Sequence, residues 1–399
     1  MSDSLPVLSA AGETVLTFLE NVGQRSEAEF YLRLFRKLPR QSFALVLVRE
    51  PALATAPGSL VEQLSFLSDL GLCASLVVGA WSEESSGQSA LDLAGHLSRH
   101  GLSHALLSLD TPGLESALTA ALDQQRVPII HAQGANCFER VGELAHALKT
   151  RKLVILRQRG GLGPHGGQRL DLGNGYSLPT HAGGISVVNL RADYDALHNH
   201  GILDSEDEEL LACIQSVLES ARLPSTTLSV TSPLALLTEL FTVKGAGTLV
   251  KLGSPIRRYQ GYAELNRKSL ALLLQSSFQR KLSPSFFGTE PLGIYLEENY
   301  RGAAIVQPGF SGAFLTKFAV DPLAQGEGIG QDLWRAMLRD TPKLYWRSRL
   351  KNPILGWYKS ICDGFIDQEP WAVCWRGYAP SELPELIHDA LSRPIDFLD

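Results

Sequence analysis

The chain has 399 residues, of which 44% are hydrophobic and 20% charged, so it is long enough for two domains with separate cores. Its formal net charge of −6 argues against nucleic acid as the main partner, because nucleic-acid binders carry a basic face. No apolar run is long enough to span a membrane, and the first residues show neither a signal peptide nor an Arg-rich transit peptide. The five cysteines form no CxxC pair, which excludes a zinc site and favours a reducing compartment. We therefore expect a cytoplasmic enzyme or binding protein without a metal.

The first forty residues have the pattern of N-terminal helices. Phe30, Tyr31, Leu34 and Phe35 recur at helical spacing and form one apolar stripe. After them, short apolar runs alternate with amphipathic stretches, which predicts an α/β domain with a mainly parallel sheet up to residue 255. The predicted strands are 42–48, 73–80, 103–110, 127–132, 152–157, 185–190 and 226–232, and the predicted helices are 58–71, 89–101, 113–126 and 207–222.

The pattern changes at about residue 256. Before that point, a glycine-rich insert at 159–184 is typical of a hairpin or a loop, either near a ligand or simply on the surface. After it, the sequence predicts a second, α+β domain over residues 256–399. Its predicted elements are a helix in 258–282, two antiparallel strands in 292–309, a strand at 313–320, a helix at 330–339, a strand at 343–349, a helix in 353–366 and a strand at 371–378.

A glycine-rich loop joins the strand ending at Val320 to the next helix. Such a loop points backbone N–H groups and a helix N-terminus at one place, which favours binding of an anion. Small residues let the backbone approach the ligand, and the alternative is a turn without a ligand. The loop is neither a P-loop nor the GxGxxG fingerprint. Its candidate binding residues are Gln325, Gly326, Glu327, Gly328, Ile329 and Gly330.

The spacing Gln-x-x-Gly-x-Gly between a strand and a helix resembles the acetyl-CoA pyrophosphate loop of the GNAT N-acetyltransferases. The segment LYWRSRLKNPILGWYKSICDGFI (344–366) resembles the acetyltransferase domain of N-acetylglutamate synthases of the vertebrate and fungal type and of bifunctional bacterial synthase-kinases. Segments 238–251, 276–282, 295–306 and 315–320 fit that family in the same order. The resemblance implies an amino-acid-kinase-like domain (1–255), a GNAT domain (256–399), and acetyl transfer from acetyl-CoA to L-glutamate as the first step of arginine biosynthesis.

The same resemblance implies an acceptor site with cationic residues, and charge-assisted hydrogen bonds are the strong ones for a dicarboxylate. Arg347 and Arg349 alternate on one predicted strand and share a face, although Arg349 can instead be a structural ion-pair partner. The implied substrate-binding residues are Arg280, Lys317, Phe318, Arg347, Arg349 and Asn352.

Tyr358 matches the family's proposed proton donor to the departing coenzyme A thiolate, the alternative being a packing role. Asn352 is the second catalytic candidate, as a group that positions the amine, and the identity of the general base stays open. Backbone groups of Ala319 and Val320 complete the expected coenzyme site, and a backbone N–H near Phe318 or Ala319 would meet the oxyanion.

For the first domain the resemblance implies L-arginine as an allosteric effector and assembly as a homotetramer. The effector residues implied are Tyr31, Phe35, Glu239, Gly245 and Gly247, with a solvated helix residue as the alternative for Glu239. Kinases of this fold have a K-x-G-G motif after the first strand.

In this chain Arg49, Glu50 and Pro51 stand where the K-x-G-G motif of the kinases would follow the first strand. Kinase activity is therefore expected to be absent. The alternatives are a bifunctional synthase-kinase and a non-catalytic arginine sensor. A mature mitochondrial matrix protein is the alternative to the cytoplasm.

Overall fold

The computed structural model describes residues 25–81, 86–134, 136–166, 169–172, 177–222, 227–242, 245–325 and 328–398. The described residues form two compact units, one within Met1–Leu170 and Ser177–Leu252, and the other mainly within Gly253–Asp399. No helix within the described ranges is long and apolar enough to cross a membrane. The predicted helical region before residue 25 lies outside the described residues.

The first unit is built on an eight-stranded sheet. Its strands are β1 (Ala44–Val48), β2 (Ser75–Val78), β3 (His104–Ser108), β4 (Val127–His131), β5 (Lys152–Leu156), β9 (Val187–Asn189), β10 (Thr227–Thr231) and β11 (Thr248–Lys251). They lie in the order β3-β4-β2-β1-β5-β10-β11-β9. The pairs are parallel except for β10 with β11. Every residue of β1 is buried, as expected for a central parallel strand covered on both faces. The predicted fold class is thus confirmed.

Nine helices are described in this unit. They are α1 (Arg25–Arg36), α2 (Glu50–Thr55), α3 (Pro57–Asp69), α4 (Ser86–Arg99), α5 (Leu114–Asp123), α6 (Cys137–Ala147), α7 (Leu190–Asn199), α8 (Ser205–Ala221) and α9 (Leu236–Phe241). Helix α8 begins where the side chain of Asp204 accepts a hydrogen bond from the amide of Asp207, and its first turn is acidic, which suits the helix dipole. Leu32 and Phe35 of α1 belong to the core that also contains β1 and α9.

The glycine-rich insert forms a small three-stranded sheet. Its strands are β6 (Arg169–Asp171), β7 (Ser177–His181) and β8 (Gly184–Ile185), in that order. Strands β7 and β8 pair antiparallel, so the hairpin alternative is the one observed in the described part of the insert.

The second unit is built on a seven-stranded sheet. Its strands are β12 (Ile256–Tyr259), β13 (Gly293–Glu297), β14 (Gly302–Gly309), β15 (Gly312–Val320), β16 (Leu344–Arg349), β17 (Gly364–Gln368) and β18 (Trp371–Arg376). They lie in the order β12-β13-β14-β15-β16-β18-β17, and β15 with β16 is the one parallel pair. The helices are α10 (Arg267–Phe278), α11 (Ile329–Asp340), α12 (Leu355–Ile361) and α13 (Leu383–Ser392).

Two predicted helices of this unit differ from the structure, and one observed helix has no predicted counterpart. The helix predicted in 258–282 begins only at Arg267, where the Asn266 side chain accepts from two amides of the first turn, and residues 258 and 259 belong instead to edge strand β12. The predicted helix in 353–366 is split, because α12 ends at Ile361 and the next residues pair with β18 as β17. Helix α13 was not predicted.

A close contact between helices α6 and α8 gives a stability prediction. A Cβ at Gly142 would lie 2.7 Å from the Cβ of Ser220 and 3.0 Å from the amide nitrogen of Ala221, so the helix backbones would have to separate. We expect Gly142→Ala to lower the free energy of unfolding by about 2 kcal/mol, as overpacking does. The measurement is chemical denaturation of the purified chain.

The matched control is Gly95→Ala in the middle of α4, where a Cβ would meet no described atom outside the backbone of its own helix within 4 Å. There we expect a gain of about 0.5–1 kcal/mol from helix propensity. Equal effects of the two substitutions would contradict the packing argument.

Candidate active site

A cleft opens where strands β15 and β16 separate. The two strands pair only from Ala313 to Leu315 on β15, although β15 continues to Val320 and β16 to Arg349. On its other side β15 pairs with β14 along its length, but the register shifts at Thr316, which is an extra residue opposite Ile305 and Val306. Such bulges turn side chains locally and are common next to active sites. The cleft is therefore a direct result of the strand register.

The cleft widens into a cavity of about 790 Å³. It brings together the predicted acceptor residues, Tyr358 and the first residue of the glycine loop, Gln325. Its six basic lining residues are Arg280, Lys317, Arg347, Arg349, Lys351 and Arg393. Among the lining residues that the structure describes, Asp396 is the one that is acidic. The cavity is therefore strongly positive, and its chemistry suits an anionic ligand.

Lys317 is the most buried of these cations, with a side chain only 5% exposed. Its ammonium donates to the carbonyl oxygen of Thr316 at 3.0 Å, to the hydroxyl of Thr316 at 3.1 Å, and to the carboxylate of Asp396. It also lies over the rings of Phe286 and Phe397, at 5.1 and 5.3 Å from their centroids. Burial lowers the pKa of Lys317, and the Asp396 carboxylate opposes that shift.

Arg347 has a structural role that the sequence did not predict. Its guanidinium donates to the carbonyl oxygens of Ala390 (2.8 Å), Leu391 (3.2 Å) and Pro394 (2.7 Å). It therefore satisfies carbonyl groups at the end of α13 that have no partner within the helix. Arg347 and Arg349 both lie over the ring of Trp371, at 4.4 and 4.3 Å, which agrees with their predicted common face.

Asn352 shapes the turn between β16 and α12. Its side-chain amide donates to the hydroxyl of Ser348 at 2.9 Å, and its side-chain oxygen accepts from the amide of Ile354 at 3.2 Å. These bonds fix the start of the helix that carries Tyr358. Asn352 thus lines the cavity and also helps to position Tyr358.

Tyr358 lies in an aromatic cluster on α12. Its ring centroid is 6.3 Å from that of Phe318, 5.6 Å from Trp346 and 5.5 Å from Trp357. Burial raises the pKa of its phenol well above the ordinary value, and the nearby Cys374 thiol adds to the shift. Tyr358 therefore stays protonated over the physiological range and is able to donate a proton.

The glycine loop leads from β15 into α11. Gly328 is the N-cap residue of α11 and has φ +86°, a conformation that side chains disfavour. A Cβ at Gly330 would meet only ordinary contacts, 3.6 Å from Val320 and 3.7 Å from Phe318, so the fold itself does not require glycine there. The predicted coenzyme residues Gly326 and Glu327 lie outside the described residues.

The sequence missed the contribution of the C-terminal residues to this cavity. Arg393, Pro394, Ile395, Asp396 and Phe397 all line it. Helix α13, which brings them there, had a signal in the sequence: a proline at its first turn and apolar residues Leu386 and Ala390 four positions apart. The pairing of Asp396 with Lys317 had none, because 79 residues separate them.

The predicted effector residues lie in the first unit, where most of them have structural partners. Glu239 is only 4% exposed, so the solvated alternative is wrong; its carboxylate accepts from the amides of Ala246 (2.8 Å) and Gly247 (3.1 Å). Gly245 has φ +64°, and a Cβ there would meet the Glu239 carboxylate at 2.7 Å. Glu239 therefore holds the loop before β11 closed on itself.

The aromatic pair of α1 divides into a core residue and a partly exposed one. Phe35 is 3% exposed and packs against Phe43 and Phe241, so its role is in the core, contrary to a direct effector contact. Tyr31 stacks on Phe35 with the ring centroids 5.7 Å apart, and the ammonium of Lys152 lies over it at 5.3 Å. Burial lowers the pKa of Lys152, and the charge of Glu239 opposes this. Lys152 thus links two predicted effector residues and was not singled out from the sequence.

After β1 the structure has no glycine turn. Arg49 is followed at once by α2, and its guanidinium donates to Glu206 of α8 at 2.9 Å and lies over Trp81 at 5.4 Å. A salt-bridged arginine therefore stands where kinases of this fold have their lysine and glycines. The described residues contain no group of acidic, histidine or cysteine side chains that could hold a metal ion.

Comparisons with known proteins match this arrangement. Residues 257–392 match the family model described as NAT, N-acetyltransferase, of N-acetylglutamate synthase. A protein of Xanthomonas campestris named acetylglutamate kinase is 30% identical over 88% of this chain and 93% of its own length. A mitochondrial N-acetylglutamate synthase of Danio rerio is 36% identical, over 53% of this chain and 42% of its own.

Among solved structures, the N-acetylglutamate synthase of Neisseria gonorrhoeae complexed with coenzyme A and N-acetyl-glutamate matches with a TM-score of 0.51 and 14% identity. That match covers 88% of this chain and 97% of the other. At this identity the likeness shows the fold alone.

The capping role of Arg347 gives a prediction that does not depend on activity. We expect Arg347→Ala to lower the free energy of unfolding by about 2 kcal/mol, because three carbonyl oxygens lose a charged donor. The matched control is Arg349→Ala, since Arg349 is exposed and shares the stacking on Trp371. It should cost less than about 1 kcal/mol. Denaturation curves in urea measure both, and an equal loss would show that stacking rather than capping dominates.

Proposed function

The chain belongs to the family of N-acetylglutamate synthases and related acetylglutamate kinases that combine an amino-acid-kinase-like domain with an N-acetyltransferase domain, and we propose that it acetylates the α-amine of L-glutamate with acetyl-CoA. The observation that carries this proposal is the positive cavity between the separated strands β15 and β16, within the matched residues 257–392. It combines cationic residues for a dicarboxylate with Tyr358, a phenol that lines the cavity and is held in its protonated form by burial.

Acetyl-CoA is the co-substrate, and we assign its pyrophosphate to the glycine loop. Gly328 caps α11, a helix of 12 residues, so amide groups of the first turn and the positive end of the helix dipole are available to an anion. Gln325 of the same loop lines the cavity, which joins the donor site to the acceptor site. Gly326 and Glu327 remain predictions.

Glutamate brings two carboxylates and an ammonium group. Arg280, Arg349 and Lys317 line the cavity as candidate partners for the carboxylates, because cations with directed N–H groups replace the water that a carboxylate loses on binding. Arg347 contributes charge, but its N–H groups on both terminal nitrogens bind carbonyl oxygens of α13 and the segment after it. We therefore expect it to act mainly by positioning these elements.

The reaction joins the amine nitrogen of glutamate to the acetyl carbon and breaks the carbon–sulfur bond of the thioester. The developing oxyanion needs a backbone donor, and the edge of β15 beyond Leu315, which includes Phe318 and Ala319, has no strand partner on the β16 side. The amine loses its proton to solvent water. Tyr358 supplies a proton to the coenzyme A thiolate as it leaves and recovers one from solvent, so the enzyme is unchanged after the cycle.

The name acetylglutamate kinase among the relatives supports a second candidate, phosphoryl transfer to N-acetylglutamate. The environment of Arg49 speaks against it in this chain. The expected lysine and glycines are absent after β1, and the arginine that replaces them is bound by Glu206, so backbone donors for phosphates are lacking at this position. We infer a kinase-like domain without kinase activity.

We further propose that the first unit binds L-arginine as an effector near Tyr31, Lys152 and Glu239. A buried carboxylate beside a loop with Gly245 in a left-handed conformation is suited to a guanidinium or ammonium ligand if the loop opens. A homotetramer remains a prediction. Relatives include bacterial proteins and mitochondrial synthases, and we infer the cytoplasm or the mitochondrial matrix as the compartment.

The proposed function predicts release of free thiol when the purified chain receives acetyl-CoA and L-glutamate together. Release should be absent without glutamate, and addition of L-arginine should change the rate. The same preparation should not transfer phosphate from ATP to N-acetylglutamate. Wild-type protein that releases no thiol would refute the synthase proposal, and phosphate transfer would restore the bifunctional alternative.

The role of Tyr358 predicts that Tyr358→Phe lowers kcat by about 100-fold, the smaller end of general-acid effects, and leaves both KM values within about twofold. The raised pKa of Tyr358 also predicts that the wild-type kcat does not fall as the pH passes through 10, the ordinary phenol range. Tyr378→Phe is the control, because the Tyr378 hydroxyl donates to the carbonyl oxygen of Phe310 outside the cavity. Equal activity of Tyr358→Phe and wild type would leave Tyr358 with a packing role only.

A further inference from the structure

The residues after α13 lie along the cavity as a wall of their own. The amide of Ser283 donates to the carbonyl oxygen of Asp396 at 2.8 Å, and the amide of Leu398 donates to the carbonyl oxygen of Lys281 at 2.9 Å. The ring of Phe397 packs on Phe278 with the centroids 4.8 Å apart. Backbone bonds at Asp396 and Leu398 therefore hold the backbone of Asp396 at a fixed place beside the cavity.

At that place the Asp396 carboxylate binds Lys317, one of the cations that the proposed function assigns to the carboxylates of glutamate. Lys317 has three N–H groups, and all three have acceptors: the carbonyl oxygen and the hydroxyl of Thr316, and the carboxylate of Asp396. The hydroxyl of Thr316 lies 3.1 Å from the same carboxylate oxygen. A substrate carboxylate can bind Lys317 only by taking the place of one of these acceptors.

Of the three hydrogen-bond acceptors of Lys317, the Asp396 carboxylate is the one that a substrate carboxylate replaces most easily. The Thr316 groups belong to the strand that carries Lys317, whereas the Asp396 side chain comes from another segment and is 22% exposed, against 5% for Lys317. Among the described residues that line the cavity it is also the only carboxylate, beside six basic side chains, so it has the charge of the ligand that this cavity suits. The Asp396 side chain thus resembles a substrate carboxylate in its charge and in its contact with Lys317.

We propose that Asp396 is an affinity-determining residue of the acceptor site, whose carboxylate holds Lys317 until a carboxylate of the acceptor replaces it. This inference rests on the proposed function. Replacement needs only the side chain of Asp396 to turn toward solvent, because the bonds at Ser283 and Lys281 involve backbone atoms of the segment. The cost of releasing Asp396 is subtracted from the binding of glutamate, so this residue keeps the apparent affinity for glutamate low.

The test is Asp396→Asn in the full chain, which keeps the shape of the side chain and removes its charge. We expect the KM for glutamate and the dissociation constant of glutamate, measured by calorimetry, to fall by about tenfold, the factor set by one charge-assisted hydrogen bond. The kcat and the KM for acetyl-CoA should stay within about twofold. Asp396→Glu, which restores a carboxylate, should return the glutamate constants toward wild type.

Asp389→Asn is the matched control. Asp389 lies on α13, where its carboxylate binds Arg393 at 2.7 Å and accepts from the hydroxyl of Tyr345, so its loss leaves the charge on Lys317 unaltered. The glutamate constants of this variant should stay within about twofold of wild type.

Two results would overturn the inference. A higher or unchanged glutamate dissociation constant in Asp396→Asn would mean that Asp396 orients Lys317 for the substrate or only anchors the segment. The same tenfold gain in Asp389→Asn would mean that any lost negative charge near the cavity is sufficient. Because calorimetry needs no turnover, a wild-type chain that releases no thiol would refute the proposed function alone.

Discussion

The site depends on one constraint of the sheet: β15 and β16 run parallel and pair over only three residues. Beyond Leu315 the backbone of β15 keeps its hydrogen bonds to β14 on one side and faces an opening on the other. If β15 and β16 remained paired, the hydrogen bonds between the two strands would use these backbone N–H groups, and none would be left to donate to a substrate. The cations, the aromatic cluster around Tyr358 and the glycine loop all take their positions from that opening.

The opening in turn needs elements that stabilise it from the side. Arg347 projects from β16 and binds the end of α13, Asn352 fixes the turn into α12, and Ser277 of α10 donates to the carbonyl oxygen of Val320 at 2.9 Å. Arg347 and Asn352, which the sequence indicates as substrate-binding candidates, therefore also stabilise the elements around the cleft. This double use explains why substitution of such residues affects stability and catalysis together, and why unfolding and kinetic measurements are both needed.

The sequence predicted most of the first unit because its strands are apolar on both faces and separated by amphipathic helices, a pattern with one common solution. It was less informative where strands lie at an edge. Strand β12 contains Arg257 and Arg258, and every residue of β17 after Gly364 is exposed, so neither has the pattern of a buried strand. The acceptor-site residues that the family resemblance implied do line one cavity. The contact of Asp396 with Lys317 was not predicted, because the two residues lie 79 positions apart and such a contact leaves no local sequence pattern.

The charge of the cavity also has a kinetic consequence. The whole chain has a formal net charge of −6, yet within the described part of the chain six basic side chains and one acidic side chain line this space. An anion that approaches the surface at random is repelled by most of it and attracted at the mouth of the cleft, where low-dielectric walls concentrate the field. Diffusional encounter with both anionic reactants should therefore slow as ionic strength rises, while screening weakens repulsion elsewhere. The distribution of charge, more than its sum, governs how substrates arrive.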